Sequence, residues 1–230
     1  MRRLATLTLL ALLCTAVSSQ AAGPRILVTG DSMMRGVDGN LQQELEAIQE
    51  VSFRSDVHIG EGVTTAPWVR RARRQASEHL PNATVAFMGA NDCFDMFRAP
   101  CCRKKWVAKY EDRVTRMIRA YSREDRAEVY WLTLPASSTR SARRRQIFPK
   151  INAAIGRAVK ASGPHAHLVD AWTVFTPGGQ YRSTMLWKGV ELVVRSVDGV
   201  HLSRPGQGIA AELIRDALLA DGVVSYPAPP

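Results

Sequence analysis

Four short stretches of this 230-residue chain carry side chains able to do chemistry, and each adjoins an apolar run. Gly30-Asp31-Ser32, Gly60-Glu61-Gly62 and Gly89-Ala90-Asn91-Asp92 each follow such a run, and Asp198-Gly199-Val200-His201 precedes the last helical stretch. A serine hydroxyl is a weak nucleophile until a base takes its proton. An imidazole suits that task, and Asp198, three residues before His201, can share one turn with it. The carboxylate can then accept a hydrogen bond from one ring nitrogen and leave the other facing Ser32, which is the logic of a Ser-His-Asp triad. The same stretches hold donors for a developing oxyanion: the Ser32 backbone N–H at a helix start, the Gly62 backbone N–H with no side chain in its way, and the Asn91 side-chain amide. Asp92 reads as holding the Asn91 loop, and Asp31 as positioning the Ser32 turn. Each stretch alone has a structural explanation, as turn composition or a helix cap. Together, in this order, they support acyl transfer to water with no metal and no organic cofactor.

The elements that must position these residues alternate between strand-like and helix-like patterns. Apolar runs over Arg25 to Thr29, Val51 to Ile59, Ala83 to Met88, Glu128 to Leu134 and His167 to Val169 predict five strands. Helical spacing or helix-start signals predict helices over Leu41 to Ile48, Pro67 to His79, Trp106 to Tyr121, Gln146 to Ala161 and Pro205 to Ala220. Such alternation predicts an α/β fold, a three-layer α/β/α sandwich on a mostly parallel five-stranded sheet. Ligands of such folds bind beyond the carboxyl ends of the strands, where the chemistry-bearing stretches fall.

Residues 1–22 have the pattern of a secretory signal segment. Arg2 and Arg3 precede an uncharged apolar run from Leu4 to Val17, and Ser19 and Ala21 supply small residues for a cleavage site. The run is short for a membrane span, so an export signal is preferred over a retained anchor. The expected organisation is a single domain over 23–225 and a Pro-rich tail over 226–230. The formal charge is +10, and removing Arg2 and Arg3 leaves +8. A basic exported protein favours acidic polymers or anionic surfaces, although a solvated basic face explains the charge equally well. The arginines are not interleaved with aromatic residues, so no nucleic-acid partner is expected. Cys93, Cys101 and Cys102 follow the signal segment. In an oxidising space Cys93 can pair with Cys101 or with Cys102. Three cysteines without a nearby histidine do not match zinc spacing.

With these residues in view, the chain resembles the SGNH hydrolases, also called GDSL esterases and lipases. Gly30-Asp31-Ser32 matches their first block, with Met33 in place of leucine. Gly62-Val63-Thr64 fits the second block, with Gly60 a weaker candidate, Gly89 to Asp92 fits the third, and Asp198 with His201 the last. The resemblance covers residues 25 to 220 and is nearest to an exported bacterial branch of poorly defined substrate. It implies a flavodoxin-like sheet, Ser32, Asp198 and His201 as catalytic residues, and Ser32, Gly62 and Asn91 as the oxyanion hole. It also implies ester hydrolysis, and the signal segment implies a secreted or periplasmic protein. Trp68, Phe94, Phe97, Trp172 and Trp187, set among arginines, suit a sugar bearing a small acyl group, although packing explains them as well. The expected substrate is an O-acylated cell-envelope or extracellular glycan, or an acylated small molecule. Alternatives are a broad carboxylesterase or lysophospholipase, an acyltransferase that passes the acyl group to a sugar hydroxyl, and a non-catalytic glycan-binding module.

Overall fold

The computed structural model describes residues 23–92, 94–96, 98–138 and 142–227. The expected signal segment, the last three residues of the tail and Cys93 lie outside the described residues. The expected parallel sheet forms, with strand order β2-β1-β3-β4-β5. Its strands are β1 (Arg25–Gly30), β2 (Ser52–Val57), β3 (Ala83–Phe87), β4 (Glu128–Leu132) and β5 (Ala166–Val169). Every neighbouring pair is parallel. The central strands read as unbroken apolar runs because helices cover both faces. In β3 all five residues are buried, and in β1 all but Arg25.

The major helices are α1 (Val37–Glu46), α2 (Trp68–His79), α3 (Lys104–Ser122), α4 (Ala142–Ala161) and α6 (Arg204–Ala220). One layer pairs α1 with α6; the other runs α2, α3, α4 in contact order. The core between the layers includes Trp106, Tyr110, Tyr121, Trp131 and Phe148 at full burial. Strand order reverses between β1 and β3: the chain leaves β1 for β2 on one side and returns to β3 on the other. Register aligns Gly30 with both Val57 and Phe87, so the three strands end at one level. A crevice at such a reversal is where open α/β sheets bind ligands. Ser32 and Asn91 emerge on its two sides.

Two differences from the sequence reading matter for the site. First, α4 begins at Ala142, a turn earlier than the predicted Gln146, which carries Arg144 and Arg145 onto the helix. Second, the stretch after β5 holds structure that no periodicity predicted. It contains a short α5 (Ala171–Phe175) and an antiparallel hairpin of β6 (Thr184–Trp187) and β7 (Val190–Val193). Lys188 and Gly189 turn the hairpin with φ of 49° and 83°, the left-handed pair that tight hairpins require. The loop aromatics divide. Trp68 is buried core, Trp172 and Trp187 are partly buried against the core, and Phe94 is exposed beneath Arg143; Phe97 lies outside the described residues. Cys101 and Cys102, sequence neighbours in the loop before α3, are bonded to each other; the expected pairing of Cys93 lies outside the described residues.

Candidate active site

Ser32 follows β1 by two residues, on a turn held from within. The preceding Asp31 is fully buried, and its carboxylate accepts hydrogen bonds from the backbone N–H groups of Met33 (2.8 Å), Gly89 (2.9 Å) and Ala90 (3.1 Å). The Asn91 side-chain amide adds a longer contact at 3.4 Å. One carboxylate therefore ties the Ser32 turn to the exit of β3. Burial pushes the Asp31 carboxyl up to about 6, against the three backbone donors and with the help of the nearby Asp92 charge.

The last stretch meets Ser32 from across the sheet. His201 Nε2 lies 2.8 Å from Ser32 Oγ, although the two are 169 residues apart. His201 Nδ1 lies 2.6 Å from Asp198 Oδ2. The other Asp198 oxygen accepts from the backbone N–H groups of Val200 (2.8 Å) and His201 (3.0 Å). Burial would raise the Asp198 carboxyl, but these donors and the His201 ring outweigh it and hold the group down to about 2. Asp198 thus stays ionised through the neutral range, and its hydrogen bond fixes which imidazole nitrogen faces Ser32.

The Asp198–His201 loop has a support that sequence reasoning missed. Arg195 is only 3% exposed, and its guanidinium donates to the carbonyls of Ala136 (2.7 Å) and Val200 (2.8 Å), with longer contacts to Gly199 and His201. Burial pulls the guanidinium down to about 10, while Tyr181 and Asp198 oppose the shift. Gly199 has φ of 69°, and a Cβ there would meet Ser138 Oγ at 2.0 Å, so the loop needs glycine at that position. The Gly199 carbonyl in turn accepts from the Ser138 N–H at 2.8 Å.

The other predicted site residues fall into two sets. Ser32, Asn91, Asp198 and His201 line one pocket of about 270 Å³, together with Arg144. Arg144 donates to the Ala90 carbonyl at 3.0 Å. Nothing in its sequence spacing distinguishes it from its neighbours Arg143 and Arg145. Gly62 stands apart, because its N–H donates to Thr65 Oγ1 at 3.0 Å and it does not line that pocket. Its place is set by Asp92, which is fully buried and accepts from Val63 N–H, Thr64 N–H, the Thr64 hydroxyl and the Tyr110 hydroxyl. A Cβ on Gly62 would meet Asp92 Oδ1 at 2.3 Å. Asp92 therefore clamps the second stretch to the third, and burial raises its carboxyl. Among the described residues no group of three or more His, Cys, Asp or Glu is arranged to hold a metal ion, and no helix is long and apolar enough to cross a membrane.

Such an arrangement can activate a hydroxyl, and relatives give it a frame. No curated protein sequence matches the chain. Among solved structures it is similar to a lipase/acylhydrolase from Enterococcus faecalis, at 18% identity and a TM-score of 0.67, covering 90% of this chain and 100% of that one. It is also similar to a catalytic mutant of an acetylxylan esterase from Geobacillus stearothermophilus, at 15% identity and a TM-score of 0.60, covering 85% and 94%. A third is a member of the lipolytic G-D-S-L family from Veillonella parvula, at 15% identity and a TM-score of 0.59, covering 84% and 96%. At such identities the likeness establishes the fold. The model of a family described as "Protein of unknown function (DUF459)" matches residues 25–217. By that match the chain belongs to the DUF459 family, and its fold is the α/β fold of these lipase, esterase and G-D-S-L structures.

Proposed function

We propose that the chain is a serine esterase that hydrolyses O-acyl esters. The observation that carries this reading is the continuous Asp198–His201–Ser32 hydrogen-bond line, at 2.6 Å and 2.8 Å. Ser32 Oγ attacks the ester carbonyl as His201 Nε2 takes its proton. Asp198 holds the ring and stabilises the imidazolium that forms. His201 then returns the proton to the leaving alcohol, and a water, deprotonated by the same ring, releases the acid and restores Ser32.

The oxyanion sits between the Ser32 backbone N–H and the Asn91 side-chain amide. Neither is consumed by a strong internal bond: the Ser32 N–H meets no acceptor among the described residues, and the Asn91 contact to Asp31 is long. Gly62 joins them only if Thr65 Oγ1 lets go of its N–H, so the hole works mainly with two donors. Removing one such donor typically costs about 10²–10³ in rate. Ser32 and His201 line two pockets, of about 270 Å³ and about 520 Å³. Two of the similar structures are described as acetylxylan esterases, which supports small acyl groups on glycans as the substrate class. The apolar, Arg-led composition of residues 1–22 supports action outside the cytoplasm.

The reading is tested with p-nitrophenyl acetate. Wild-type protein is expected to turn it over, and Ser32→Ala and His201→Ala are each expected to lower kcat by about 10³-fold or more. Near-wild-type turnover in either variant overturns the assignment.

A further inference from the structure

Beside the Ser32 pocket lies a larger cavity of about 830 Å³, within the usual size of small-molecule sites. The two are walled by consecutive residues: Arg144 and Asp198 line the first, Arg145 and Gly199 the second. A ligand held at Ser32 therefore has the larger cavity as its neighbouring space, across the α4 start and the Asp198 loop. The outer wall is the segment that leads into the β6–β7 hairpin, including Gln180, Tyr181 and Ser183.

The lining mixes apolar and polar groups, and its two charged residues, Arg145 and Arg195, are both positive. Arg145 is exposed at the rim. The Arg195 guanidinium is buried in the wall, and all its hydrogen bonds go to backbone carbonyls and none to a carboxylate. Its charge is therefore offset only by Asp198, which is already bound to His201. The Tyr181 ring packs over that guanidinium at 5.0 Å and also faces the cavity. Ser138 is 8% exposed, and its hydroxyl meets no hydrogen-bond partner among the described residues. A guanidinium that hydrogen-bonds no carboxylate among the described residues, with Arg145 at the rim, favours a ligand that brings an anionic acceptor.

We infer that this cavity is the subsite for the alcohol half of the ester, and that the alcohol it takes is an acidic, carboxylate-bearing sugar. The inference rests on the esterase reading of Ser32 and deepens it. Arg145 meets the carboxylate at the rim. Tyr181 offers its ring and hydroxyl to the sugar, and Arg195 supplies positive potential from behind. The net positive charge, +10 for the whole chain and +8 without Arg2 and Arg3, draws the same class of substrate toward the site.

The test is a matched pair: the mono-O-acetyl methyl glycosides of galacturonic acid and of galactose, which differ in a carboxylate for a hydroxymethyl group. The reading is the ratio of kcat/KM for the acidic over the neutral ester, which does not depend on how much of a preparation is folded. Wild-type protein is expected to prefer the acidic ester by about tenfold or more, the worth of one charge-assisted hydrogen bond. Arg145→Ala is expected to bring the ratio toward one, and Arg145→Glu below it. Should these variants fold poorly, raising the salt from about 0.05 M to 1 M on wild-type protein is expected to shrink the ratio by screening. Equal hydrolysis of the two esters by wild-type protein, or a ratio unmoved by Arg145 substitution and by salt, overturns the inference and leaves the esterase standing. Hydrolysis of neither sugar ester nor p-nitrophenyl acetate strikes the esterase reading itself.

Discussion

The Asp31 carboxylate lies wholly out of solvent, accepts three backbone N–H groups and still carries a pKa raised to about 6 from 3.8. Its neighbour Ser32 gains a fixed turn, and the cost appears as a pH dependence of folding. Because the folded value lies above the unfolded one, the folded chain holds the proton longer as pH rises. Stability from this group is fully present below about pH 4 and is lost as pH rises to about 6. The loss is on the order of 3 kcal/mol, from the size of the shift. Asp31→Asn removes the titration. The difference in unfolding free energy between wild type and Asp31→Asn, followed by urea melts from pH 4 to pH 7, is expected to move in the variant's favour as pH rises. A difference that stays flat across that window contradicts the assignment. Asp198 shows the opposite sign, because the His201 ring and two backbone donors hold its charge; its contribution is lost only in strong acid.

Elements place these residues by ending together. β1 and β3 stop at one level, and Arg195 bridges the chain beyond β4, at Ala136, to the loop before α6. Arg195 is a positioning residue for His201, so Arg195→Met is expected to lower kcat about 10–100-fold while KM changes little, since misplacing a catalytic group by an ångström costs about that much. Arg195→Lys, which keeps a charge and a donor, is expected to recover part of the loss. Equal kcat in wild type and Arg195→Met, with only the melting temperature lowered, would show a purely structural role. The elements that carry Ser32, Asn91, Asp198 and His201 were legible in the sequence for a physical reason. Strands buried on both faces read as plain apolar runs, and the polar stretches at their ends stand out against them. The β6–β7 hairpin was not legible, because its short strands bury no residue fully and show no alternation. Only the Lys188-Gly189 turn marked it. Arg144 and Arg195 were hidden among many similar arginines, and burial alone separates Arg195 from the rest. The Gly62 stretch was legible as a glycine-dependent turn, but not that the Thr65 hydroxyl would compete for its N–H.

At the scale of the whole molecule, a parallel sheet of order β2-β1-β3-β4-β5 brings together groups 169 residues apart in a crevice at the strand reversal. A cavity lined by Arg145 and Arg195 stands beside that crevice. All of this serves one contact, between the Ser32 hydroxyl and the His201 imidazole. The most direct test is covalent labelling by a fluorophosphonate, with the modified peptide identified by mass spectrometry. Wild-type protein is expected to carry a single adduct on Ser32, Ser32→Ala none, and His201→Ala an adduct that forms far more slowly. Labelling at another residue, no labelling of folded wild-type protein, or an unchanged rate in His201→Ala would contradict the account.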